Sequence, residues 1–152
     1  MMSFYIRSLT SDDYEQWRVL YQGYADFYHF ALTKVGVQTT WSWLIDARHV
    51  FSGLLAEQQG QLAGLAHFLG MPSPLRGQMV GFLDDLFVLL DHRSGGVAAA
   101  LITAVQAEAK AQGWGVVRWI TRDYNYRARG LYDKLAEKTD WVLYEMTEVA
   151  AK

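Results

Sequence analysis

With 152 residues, a 51% hydrophobic fraction and a formal charge of −2, the chain has the size and apolar content of one packed domain. It lacks the basic excess that draws a protein to nucleic acid or to acidic membrane surfaces. There is no cysteine, which removes disulfides and thiolate nucleophiles, and neither an apolar signal-peptide core nor a run near the ~20 apolar residues of a membrane span is visible, so a cytoplasmic single domain over residues 1–152 is expected.

In chain order, FYIRSL at Phe4 to Leu9 predicts a short strand. TSDD then offers Ser11 or Asp12 as an N-cap with acids in the first helical turn. Trp17, Leu20, Tyr21, Tyr24 and Phe27 or Tyr28 follow at three- and four-residue steps, an aromatic helical stripe. After a looser segment around KVGVQ, TTWSWLIDA reads as a second, shorter helix. The apolar runs His49 to Glu57 and Leu62 to Met71 flank QQGQ and predict a hairpin.

MPSPLRGQ reads as a loop leading into the strand GFLDDLFVLL. Period-two alternation places Phe82, Asp84, Leu86 and Val88 on one face of that strand, with Asp85, Phe87 and Leu89 on the other. Gly95 to Gln112 is an alanine-rich helix with Gly113 as C-cap. VVRWIT is a strand, Asn125 to Lys138 a helix presenting Ala128, Leu131, Tyr132 and Leu135, and WVLYEM at Trp141 to Met146 a closing strand. The order β-α-α-β-β-β-α-β-α-β predicts an α/β fold with a mixed sheet, antiparallel in its N-terminal part and parallel at its centre.

The stretch DHRSGGVAAAL, Asp91 to Leu101, is bare of large side chains where a strand hands over to a helix. A glycine turn at a helix N-terminus points free backbone N–H groups at one spot, backed by the positive end of the helix dipole, and phosphate binds there. Gly95, Gly96 and Ala98 admit close approach, and Arg93 adds charge at the rim. The alternative is that the glycines make a turn and the alanines pack the helix on the sheet. No G-K-[ST] follows and no G-x-G-x-x-G is present, which disfavours a P-loop and a dinucleotide fold.

Taken together, GFLDDLFV, RSGGVAAALI, WITRDYNYRARGLYDKLAEKT and WVLYEM resemble a bacterial branch of the GNAT family, the acyl-CoA-dependent N-acyltransferases, closely from about Gly81 to Met146. The first half resembles it only in its β-α-α-β-β outline. RSGGVA fits R/Q-x-x-G-x-G/A, with Ala98 where many relatives carry glycine.

The resemblance implies that acetyl-CoA is the cosubstrate. Its pantetheine arm would pair with the backbone of Leu86, Phe87 and Val88, its pyrophosphate would rest on the amides of Arg93, Ser94, Gly95, Gly96, Val97 and Ala98, and Asn125 would bind the coenzyme arm. Asp84, or next Asp85, would be the general base; a pair of acids also suits a cationic amine. The amide of Leu86, if freed by a bulge or splay, would donate to the thioester carbonyl. Tyr132 in NYRARGLY would protonate the departing thiolate.

Other residues carry two readings each. Tyr21, Tyr24, Tyr28, His29, Trp41 and Trp43 are core aromatics or acceptor-pocket walls. His67 is a satisfied core histidine or an auxiliary base. One of Arg118, Arg122, Arg127 and Arg129 reaches the coenzyme 3′-phosphate, or all only solvate the surface. The four histidines form no metal-binding spacing, so no metal is expected. The expected partner is a small-molecule amine, with no nucleic acid or membrane partner, and an edge strand at Trp141 to Met146 suggests a homodimer. A non-catalytic acyl-CoA-binding module is the competing function.

Overall fold

The computed structural model describes residues 3–148. The chain divides after Ile120 into two compact units. The first holds strand β1 (Tyr5–Ser8), helices α1 (Tyr14–Phe27) and α2 (Lys34–Ile45), strands β2 (Phe51–Gln58), β3 (Gln61–Ser73) and β4 (Gln78–Val88), helix α3 (Val97–Gln112) and the short strand β5 (Val117–Arg118). The second holds helix α4 (Tyr126–Leu135). The sheet runs β1-β2-β3-β4-β5, antiparallel as far as β4 and parallel between β4 and β5.

Local chemistry explains most boundaries. Thr10, rather than Ser11 or Asp12, caps the first helical turn. The Asp13 carboxylate accepts from the Thr10 N–H at 2.7 Å while the Asp13 N–H donates to the Thr10 carbonyl. Helix α2 is longer than expected and takes in KVGVQ, because the Thr33 hydroxyl accepts the Gly36 N–H at 2.9 Å and starts the helix there. Gln59 and Gly60 both take positive φ in the β2–β3 turn, the geometry a two-residue hairpin demands. Pro72 and Ser73, expected in a loop, continue β3 and pair with β4.

The core lies on both faces of the sheet. Leu55, Leu65 and Phe87 stand in one row across β2, β3 and β4 and pack with Trp17 and Leu20 of α1 and Leu44 of α2. On the opposite face Leu101 of α3 lies against Gly64, and Trp114 lies so close over the paired Gly70 and Gly81 that a Cβ at Gly70 would stand 2.3 Å from its ring. These glycines are required by contact.

Trp141 to Met146 forms no strand among the described residues, and Trp141 and Tyr144 are exposed. The predicted tenth element is therefore corrected. An apolar run becomes a strand only where a neighbouring edge supplies its N–H and C=O partners. Likewise VVRWIT contributes only Val117–Arg118 to the sheet.

Candidate active site

Two hydrogen bonds locate a change of phase in β4. The Gly81 N–H donates to the Val116 carbonyl at 2.7 Å, toward β5, whereas the Leu89 N–H donates to the Ala63 carbonyl at 2.8 Å, toward β3. In an unbroken strand, residues an even number of positions apart direct their N–H groups to the same edge. One residue is therefore inserted between them. The register puts it at Asp84, since Leu83 faces Phe68 and Asp85 faces His67.

The bulge corrects the predicted alternation. Leu83 before it and Leu86 and Val88 after it face α3, while Phe82, Asp85 and Phe87 face α1; Phe82 does not share a face with Leu86. It also turns the N–H groups of Leu86 and Val88 toward the β5 edge, where the last pair is Phe82 with Arg118. The backbone of Leu86–Val88 is thus directed to an edge that β5 does not cover, and there the Val88 carbonyl accepts the Arg93 Nε–H at 3.0 Å.

Asp84 and Asp85, expected on opposite faces, line the same cavity of about 60 Å³. Tyr21 of α1, Thr40, Trp43 and Leu44 of α2, Phe51 of β2 and His67 of β3 complete its walls. Asp85 is buried and its Oδ2 lies 2.8 Å from His67 Nδ1. Asp84 is exposed at the bulge, yet the cavity walls strip enough water from its carboxyl that desolvation, with the adjacent Asp85 charge, pushes its pKa up to about 6. Burial, again with Asp85, pushes the Tyr21 phenol up to about 12 and raises Tyr24 as well, so both phenols stay protonated near neutrality. The Tyr24 hydroxyl reaches the Asp84 carbonyl at 3.5 Å.

Past β4, a 3₁₀ turn over Leu90–His92 leads to Arg93 and the glycine turn. Ser94 and Gly96 take φ of 69° and 86°. A Cβ at Gly96 would meet nothing within 4 Å; glycine is favoured there by backbone conformation, and the side-chain-free surface opens outward. The first-turn amides of α3 have no acceptor within the helix. Arg93 is less a free rim charge than expected. Its guanidinium lies 5.6 Å from the ring centres of both Phe27 and Phe87, and its backbone N–H donates to the Leu90 carbonyl at 3.2 Å.

An acid pair at a strand bulge, a strand edge that β5 does not pair and the N-terminus of α3 thus follow one another along the chain. The model of the acetyltransferase (GNAT) family matches residues 10–136. The chain belongs to this family. It is 33% identical, over 92% of its length and 88% of the relative's, to the D-amino-acid N-acetyltransferase HPA3 of Saccharomyces cerevisiae. Among solved structures, a ribosomal-protein-alanine N-acetyltransferase of Brucella melitensis superposes with TM-score 0.79 at 26% identity, covering 95% of this chain and 99% of that one. An aminoglycoside N-acetyltransferase in complex with CoA shares the fold at TM-score 0.83 and 22% identity, covering 97% of each.

In this GNAT chain the first unit brings together Asp84, Asp85, Leu86, Phe87, Val88 and the turn from Arg93 to Ala98. Asn125 and Tyr132 belong to the second unit. Asn125 stands at the N-terminus of α4 with its Nδ2 donating to the Thr121 hydroxyl at 3.1 Å, and its carbonyl accepts the Arg129 N–H. Tyr132 is half-buried on α4, where its carbonyl accepts the Ala136 N–H. Sequence reasoning missed Thr40 and Phe51 as cavity walls, and it placed Trp17 only in the aromatic stripe. FLDDLF gave no sign of the bulge, since one acid on each face also fits a regular period-two strand.

Proposed function

We propose that this GNAT chain transfers acetyl from acetyl-CoA to a primary amine of a small molecule, amino acid, polyamine or peptide by direct attack. The observation that carries the reading is the bulge, which sets a carboxylate of raised pKa beside the backbone of Leu86–Val88, which β5 does not pair. The pantetheine arm runs along that edge, and the pyrophosphate lies on the turn from Arg93 to Ala98 at the N-terminus of α3. Asp84 takes the proton of the ammonium acceptor, directly or through water. The amine nitrogen then bonds to the thioester carbon while the Leu86 N–H stabilises charge on the carbonyl oxygen. The C–S bond breaks, Tyr132 gives its proton to the thiolate, and the nitrogen's surplus proton passes to the tyrosinate as the amide forms, restoring the phenol.

A group titrating near pH 6 is largely ionised at neutral pH and still basic enough to accept a proton. That match, and the 33% identity to an enzyme named for D-amino acids, favour catalysis over the non-catalytic module. The two units act as one GNAT domain, since the family match crosses the boundary at Ile120. A cytoplasmic homodimer completes the proposal. The test is release of free coenzyme A thiol from acetyl-CoA across D- and L-amino acids, polyamines, amino sugars and peptides. Turnover with at least one amine is expected; coenzyme binding with silence across the panel would favour the module.

A further inference from the structure

Both ring nitrogens of His67 are engaged in the core. Its Nε2 lies 3.0 Å from Trp17 Nε1 and its Nδ1 2.8 Å from Asp85 Oδ2, and His67 and Trp17 are 1% and 0% exposed. An indole N–H only donates. His67 Nε2 must therefore accept, which puts the proton of the neutral ring on Nδ1, pointed at the carboxylate. The chain of bonds runs one way, from Trp17 through His67 to Asp85.

This direction decides what Asp85 can do with a proton. Nδ1 already carries one, and Nε2 ends on an indole that cannot accept, so nothing taken up by Asp85 travels inward. Asp84 differs by one residue and by the bulge: it lines the same cavity but is exposed, so protons taken there pass to water.

We propose that His67, oriented by Trp17, is a positioning residue that fixes Asp85 as a stationary carboxylate, leaving Asp84 as the member of the pair that exchanges protons. The assignment rests on the reading of Asp84 as the base of acetyl transfer. It explains why two adjacent acids occupy one small cavity: the held charge of Asp85 is one of the causes that raise Asp84. Within residues 3–120 the other ionisable groups against the pair are Tyr21 and Tyr24 of α1, both shifted toward the neutral form by burial first and then by the same acids. Helix α2 and strand β2 present Thr40, Trp43, Leu44 and Phe51 to the cavity, none of them charged.

The full chain labelled with ¹⁵N-histidine and ¹³C-aspartate tests this without requiring turnover. At pH 7.5 the His67 ring should carry its proton on Nδ1; a proton on Nε2 would overturn the proposal. Carboxyl ¹³C titration of Asp84 and Asp85 is then compared between the wild type, His67→Gln and His67→Leu. The glutamine amide replaces both bonds, accepting from Trp17 and donating to Asp85, but carries no titrating ring, so the pair should titrate within about 0.3 pH unit of wild type. Leucine removes the donor, and the first proton should bind the pair roughly one pH unit higher, the size expected from one lost charge-assisted hydrogen bond.

The same displacement should appear in the acidic limb of kcat/KM. Loss of that limb in His67→Gln would make His67 a proton carrier and sink the proposal, as would an unshifted carboxyl titration in His67→Leu. If no amine supports turnover while the carboxyl titrations behave as stated, the acetyl-transfer reading fails and the His67–Asp85 assignment stands.

Discussion

Asp84 illustrates how a single inserted residue sets chemistry. A carboxyl on a regular strand position would face either the core or the opposite side; on the bulge it borders the cavity and stays open to water, with Asp85 alongside. Its raised pKa fixes the sign of the pH dependence. The basic form fills as pH rises through about 6, so kcat/KM should climb there and level off above pH 7. Asp84→Asn should lower kcat/KM about 10²-fold or more and abolish that limb, read from initial rates between pH 5 and 8. An intact limb in the variant would shift the role of base to another group. Tyr132→Phe should lower kcat by about 10²-fold or more while coenzyme affinity stays within about twofold of wild type. Equal turnover of this variant with an identified amine would remove Tyr132 as general acid.

Among the elements, α3 and β4 divide the coenzyme's proposed contacts between a helix end and a strand edge. Gly96 has positive φ and open space before it, so a side chain there strains the backbone by about 1–2 kcal/mol and fills the open surface of the turn before α3. Gly96→Val should weaken coenzyme A binding about tenfold or more by calorimetry; unchanged affinity would take the pyrophosphate off this turn. Gly70 is the contrasting case, because its requirement is contact with the Trp114 indole. Gly70→Val should cost about 1–3 kcal/mol in urea unfolding by overpacking, with its effect on stability rather than on coenzyme affinity.

At the scale of the whole molecule, two carboxyls pull the pH dependence of stability in opposite directions. Arg7 donates to both Asp13 oxygens and holds that carboxyl below its ordinary range, so its contribution is full above the ordinary aspartate value and is lost as pH falls through the depressed one. Asp84 is raised, so the folded state favours its protonated form; that contribution is full below about 4 and fades as pH rises through about 6. Asp13→Asn should cost about 1–3 kcal/mol at pH 7 and progressively less in acid. Asp84→Asn should raise Tm at pH 7 but not at pH 4, the reverse of its effect on turnover. Sedimentation equilibrium tests the homodimer: a monomer at micromolar concentration would leave the apolar run Trp141 to Met146 without a second chain to explain it.

The sequence by itself determined the elements from β1 to α4, because period, caps and glycine turns are local and RSGGVA with NYRARGLY marks a family. It could not determine whether WVLYEM becomes a strand, since that depends on an edge elsewhere in the chain, nor how far α2 extends, where a single Thr33 hydroxyl outweighs a loop-like composition. Only the tertiary structure decided how the acid pair is arranged. Strand phase beyond Leu83 is set by pairing with β3, and pairing alone reveals the extra residue that brings Asp84 and Asp85 into one cavity. The partners of His67 lie fifty residues upstream and eighteen downstream; no local pattern could name them, because the sheet and α1 supply the proximity.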